Sequence, residues 1–172
     1  MLGGVKIAVL LFVVAILQVS AFSSIRIGGA APDVLLVTLV SVALLRGSIA
    51  GAVAGFLAGL VIDITTLGTL GLPSLLLTLA GYWAGRYGET TGRGRVHAPL
   101  VAIVSATVFV ELGGYLLDSL LGGPVDLRSA LLALPAAVIW NGLLAYPIYG
   151  LVRRLVGTTE RVERAREVEL VV

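Results

Sequence analysis

The sequence predicts an all-α, polytopic membrane protein of six transmembrane helices with both ends on the cytoplasmic side. Three observations predict it: the composition, the spacing of the apolar runs and the placement of the basic residues. Of 172 residues, 58% are apolar and only 13% charged, far from the balance of a soluble globular domain. Roughly 20 apolar residues cross a hydrocarbon core about 30 Å thick, so the chain has room for several spans and little else. The expected layout is a six-helix transmembrane domain over 1–156 and a short cytoplasmic tail over 157–172.

The apolar runs are Val5–Phe22, Asp33–Leu45, Ser48–Leu67, Leu72–Gly85, Ala98–Leu121 and Ser129–Val152. The first follows Lys6 with IAVLLFVVAILQVSAF, whose Val-Ser-Ala resembles a signal-peptidase site. Cleaved signal and retained first helix both stay open, and the further spans favour retention. The second run would reach only about 20 Å as a helix, so it is expected to begin nearer Gly29 or to lie in a thinned bilayer. Pro32 and Pro73 suit first helical turns, where a missing N–H costs nothing. In the sixth run, Pro135 and Pro147 each remove a backbone hydrogen bond and favour a kink.

With the N-terminus inside, Lys6, Arg46, Arg86, Arg93, Arg95, Arg153, Arg154, Arg161, Arg164 and Arg166 all fall on the cytoplasmic side. Only Arg26 and Arg128 fall outside. Adding or dropping a span would scatter the later arginines over both faces. The inner connection RYGETTGRGRVH is polar and glycine-rich, as a flexible loop should be. In the tail, Thr158 or Thr159 suits an N-cap and Glu160 precedes Arg164 by four residues, which suggests a short amphipathic helix or a solvated end.

Gly47, Gly51, Gly55 and Gly59 recur every four residues through the third run, with Ala50, Ala54 and Ala58 beside them. Such a face lets helix backbones approach closely in lipid, either inside the bundle or against a partner's helix. Gly81 and Gly85 repeat the pattern in the fourth run. Gly51, Gly55 and Gly59, with Asp63, are the candidate packing or partner interface.

Polar residues inside spans need a reason to be there, because an ionised carboxylate at mid-bilayer costs about 2.5 to 3.5 kcal/mol on insertion scales. Asp63 and Asp118 lie near outer helix ends, within expected reach of water. Glu111 and Asn141 lie near the midplane of neighbouring helices and are expected to hydrogen-bond each other, with a proton or solute pathway as the alternative.

Catalytic signatures are missing from the chain. His97 is the only histidine and there are no cysteines, so a two-histidine zinc site or a thiol nucleophile cannot be built. Neither a G-x-S-x-G elbow nor a Walker loop occurs. His97, beside Arg93 and Arg95, reads as a solvated loop residue. The basic residues are dispersed between apolar runs, which argues against nucleic acid as a partner. No cofactor, metal site or catalytic residue is expected.

The segment from Pro32 to Glu89 resembles MreD, the rod shape-determining membrane protein family. The features that carry the resemblance are Pro32-Asp33 opening the second helix, the Arg46-Gly47 turn, and the small-residue third helix ending in Asp63. After these come Gly68 and Gly71 in the next turn, then Gly81-Tyr82 and Gly85-Arg86. The resemblance implies a non-enzymatic scaffold of the bacterial elongation machinery in the cytoplasmic membrane. It would bind MreC and link MreB filaments to the RodA glycosyltransferase and its penicillin-binding transpeptidase in lateral peptidoglycan synthesis. It also implies a fold similar to the substrate-binding subunits of energy-coupling-factor vitamin transporters, which supplies an alternative function. Trp83 and Trp140 are the large aromatic residues available to such a vitamin pocket, and no cationic cluster marks a site for a lipid-linked wall precursor.

Overall fold

The computed structural model describes the backbone of residues 2–22, 31–66, 71–91, 97–123 and 127–169, with side chains over 4–20, 31–65, 71–91, 97–123 and 127–156. It is all-helical: α1 Leu2–Leu17 running into a π-helical turn Gln18–Phe22, α2 Val34–Arg46, α3 Ser48–Thr66, α4 Leu72–Thr91, α5 Ala98–Leu120 and α6 Leu127–Glu169. By length and composition three of these are fit to cross a membrane, over Ser48–Thr65, Ala98–Leu120 and Leu127–Val156; Gly4–Ser20 and Val34–Arg46 are shorter apolar helices.

The shortest helix is at the centre. α2 touches every other helix, and Leu35 through Leu44 are all buried. Its hydrophobic sequence without a polar face dictates this, because a helix apolar all round can be enclosed all round. Enclosure also removes the difficulty posed by its 13 residues. A helix surrounded by protein need not match the bilayer, provided its end groups find partners. The expected start nearer Gly29 is therefore corrected: Ala31 and Pro32 are not helical and Asp33 caps the helix, its carboxylate accepting from the Leu36 N–H at 2.9 Å. At the other end Gly47 takes a left-handed φ of 94°, which lets the chain turn at once into α3.

Two further expectations change. α4 continues through Thr91, so Tyr87, Gly88 and Glu89 of the expected flexible loop are helical; residues 92–96 lie outside the described residues. α6 is unbroken from Leu127 to Glu169, through Pro135 and Pro147 and past Thr158 and Thr159, so neither threonine starts a separate helix. Pro73 does occupy the first turn of α4. Arg26, Arg93 and Arg95, and the turn at Gly68, lie outside the described residues.

Candidate functional site

The tightest part of the molecule is the seam between α3 and α4, and it is built from missing side chains. A Cβ placed on Gly51 would meet the Gly81 carbonyl and sit 2.7 Å from the Ala43 Cβ. On Gly55 it would meet the Leu77 carbonyl, and on Gly59 it would lie 2.6 Å from the Ser74 backbone nitrogen. The fit is reciprocal: a Cβ on Gly81 would stand 2.7 Å from the Gly51 carbonyl carbon, and one on Gly85 would strike Gly47. Backbone cannot yield as a flexible side chain can, so glycine is required on both sides. The glycine face of α3 is thus filled by α4 of the same chain.

This close approach buries Asp63, which is only 3% exposed. The expectation that water reaches it from the helix end is corrected, because Gly59 lets the first turn of α4 close over it. Its Oδ2 accepts a hydrogen bond from the Ser74 hydroxyl, and its Oδ1 is buried without a hydrogen bond from any described residue. At the opposite end of the seam, Glu89 caps α3. Its Oε1 accepts from the Ser48 N–H at 2.8 Å and from the Ser48 hydroxyl at 3.1 Å, and Arg86 lies 3.5 Å from its Oε2. The Ser48 backbone N–H, then the Ser48 hydroxyl and more weakly Arg86, hold the Glu89 carboxyl below the ordinary value of 4.5.

The second construction is polar and satisfies the N-terminus of α2. A helix leaves its first N–H groups unpaired, and here they are inside the bundle. Asn141 of α6 accepts from the Asp33 N–H at 2.8 Å, and Gln18 accepts from the Val34 N–H at 3.0 Å while donating to the Pro32 carbonyl at 3.0 Å. Asn141, 1% exposed, also donates to the Thr107 hydroxyl of α5 at 3.0 Å, and that hydroxyl donates to the Ile103 carbonyl. The network joins α1, α2, α5 and α6. It also corrects the expected pair: Asn141 uses its carbonyl on Asp33 and its amide on Thr107, one helical turn before Glu111.

Glu111 instead lines a cavity of ≈ 480 Å³ together with Asp33, Tyr115 and Asp118, walled by Ile62 and Leu76. Asp118 is exposed there. Among the described residues no three acidic or histidine side chains are grouped closely enough to hold a metal ion. Trp83 and Trp140 are not in this cavity; Trp83 is largely exposed and packs edge-on against Tyr82. His97 is exposed at the start of α5.

A sequence-family model described as "rod shape-determining protein MreD" matches residues 2–158. The chain belongs to the MreD family. It is a helical membrane protein of the rod-shape-determining kind, and the match spans every helix up to the distal part of α6. No curated protein and no solved structure matches the chain. The residues that resemble the MreD family fall on both constructions: Pro32-Asp33 form the capped entry of α2, while Arg46-Gly47, Gly81 and Gly85 belong to the α3–α4 seam or its terminal turn.

Gln18, Ser74, Glu89 and Thr107 complete these arrangements and were not singled out from the sequence. Gln18 had a signal, as the one amide in the first apolar run. Thr107 had a weaker one, four residues before Glu111 on the same helix face. Ser74 and Glu89 had none without knowledge of which turn of α4 faces α3.

Proposed function

We propose that this chain is a non-enzymatic, multi-pass scaffold of the elongation machinery in the cytoplasmic membrane, binding MreC and supporting lateral peptidoglycan synthesis and rod shape. The observation that carries the proposal is the family match over residues 2–158, which takes in the whole helical bundle rather than one segment of it. In this reading each of the six helices contributes a segment within the membrane, α2 as a short enclosed member, while the ends of α4 and α6 project on the cytoplasmic side, as the ten-to-two placement of basic residues favours. RodA, its transpeptidase and MreB are reached through the same assembly.

The physical support is a division of labour. The α3–α4 seam and the α2 network hold the bundle as one unit, leaving apolar side chains of α5 and α6 such as Leu116, Leu132, Ile139 and Leu143 facing outward. Gly51, Gly55, Gly59 and Asp63 serve the assembly by fixing that unit. The test is depletion of the chain in its own cells, followed by fluorescent labelling of new wall and by co-purification of MreC. Rounded cells, loss of lateral incorporation and recovery of MreC with the tagged chain are expected. Unchanged shape and no MreC recovery would overturn the proposal.

A second reading draws on the cavity. Its ≈ 480 Å³ lies in the range of small-molecule sites, and Asp33, Glu111 and Tyr115 converge on it, as a vitamin-binding subunit of an energy-coupling-factor transporter would require. Mass spectrometry of the denatured, detergent-purified protein distinguishes the readings. A stoichiometric small molecule supports the transporter subunit, and its absence supports the scaffold.

A further inference from the structure

We propose that the crease between α1 and α3 is a site for an anionic diacyl phospholipid, with Arg46 holding the headgroup. The crease has a volume of ≈ 860 Å³ and its lining is apolar along its length, with Ile7 and Phe12 on one wall and Val53, Leu57 and Ile64 on the other. Among the described residues Arg46 alone brings a charge to it, at the end where Gly4 and Ile49 also lie. The Arg46 Nε is buried and has no hydrogen-bond partner among the described residues. The carboxylate nearest this turn, Glu89, is spent on Ser48 and Arg86.

An apolar trough with a half-buried arginine at one end, its Nε buried and unpaired among the described residues, fits an amphiphile with an acidic head. Guanidinium–phosphate pairing is charge-assisted and geometrically specific, and it would supply the missing partner of Nε. The dimensions favour a lipid over a transmembrane helix. The α1 wall runs from Gly4 to Phe12, about 12 Å at the helical rise, so the two-walled part of the crease is close to one leaflet of a core about 30 Å thick, and beyond it α3 continues alone to Ile64, about 22 Å in all. A partner's helix would need walls through both leaflets and a carboxylate placed at the depth of Arg46. Such a site requires only that the chain is membrane-embedded. Neither MreC binding nor the orientation enters it.

The test is native mass spectrometry of the delipidated full chain in detergent, titrated with phosphatidylglycerol or phosphatidylcholine. The expected result is about fivefold more retained phosphatidylglycerol than phosphatidylcholine, the factor that one interfacial basic residue contributes. Arg46→Gln should abolish that preference, Arg46→Lys should retain most of it, and Val53→Trp, which fills the crease from an exposed position, should lower retention of both lipids. Equal retention of the two lipids by the wild-type chain would overturn the proposal, as would a preference that survives Arg46→Gln. If Arg46→Gln fails to give a monodisperse protein, Val53→Trp decides: unchanged phosphatidylglycerol retention places the lipid elsewhere and overturns the site.

Discussion

The two sides of α4 are held by opposite means. Toward α3 it packs backbone to backbone across glycines, with no room for a methyl group at Gly51, Gly55 or Gly81. Toward α5 it looks across a cavity lined by Asp33, Glu111 and Asp118, and a Cβ on Gly113 would meet only the tip of Leu76. The first side has one solution and the second has slack. In lipid, where burying apolar surface gains little, rigidity comes from contact distance and from paired polar groups, so of the two sides of α4 the one with slack is where movement can be accommodated.

The largest effect should come from breaking the tight side. Gly59→Leu, driven against Ser74, should cost on the order of 3 kcal/mol or prevent folding, whereas Gly113→Ala should stay within about 1 kcal/mol. Thermal unfolding in nanodiscs compares the two; similar losses would mean that the seam is no more constrained than the cavity wall.

Next comes the network that joins the slack side to the core. Asn141→Leu leaves the Asp33 N–H and the Thr107 hydroxyl short of a partner inside the bundle, for a loss of about 2 kcal/mol. Ser74→Ala, which deprives buried Asp63 of its described hydrogen bond, should cost about as much. Both are read by the same unfolding measurement, and a neutral Asn141→Leu would show that α2 needs no partner at its entry.

Glu111→Gln should change stability by less than about 0.5 kcal/mol, since Asn141 is already committed elsewhere. Loss of rod shape in that variant at normal expression would assign the cavity a role beyond packing. The smallest effect concerns Glu89. Its folded pKa lies below its ordinary value, so its contribution is complete above about pH 4.5 and fades as pH falls through the lower folded value. Wild-type unfolding temperature should fall in that acid range, and Glu89→Gln should flatten part of the decline.

Much of the helical layout was legible because hydropathy alone determines it. α3 and α5 begin at Ser48 and Ala98 and end within a residue of the apolar runs. α2 was not legible in the same way: whether Asp33 caps a helix or is carried inside one depends on Gln18 and Asn141, which are distant in sequence. The glycine repeat announced a close contact but not its occupant. Asp63 misled because depth along a helix predicts water access only until a neighbouring helix closes over it, and Gly59 is what permits that. The expected Glu111–Asn141 pair failed through competition, since Thr107 and the Asp33 backbone satisfy Asn141 with both of its polar atoms. Proximity of helices did not reveal which groups were already taken.

The central claim is that the α3 glycine face is used up inside this one chain. Gly55→Leu tests it most directly, purified alone and then with MreC. The predicted result is that the variant without any partner loses its monodisperse, cooperatively unfolding form, because Leu77 backbone occupies the space the new side chain needs. A variant as stable as wild type when alone, yet unable to co-purify MreC, would contradict the claim and assign the glycine face to the partner.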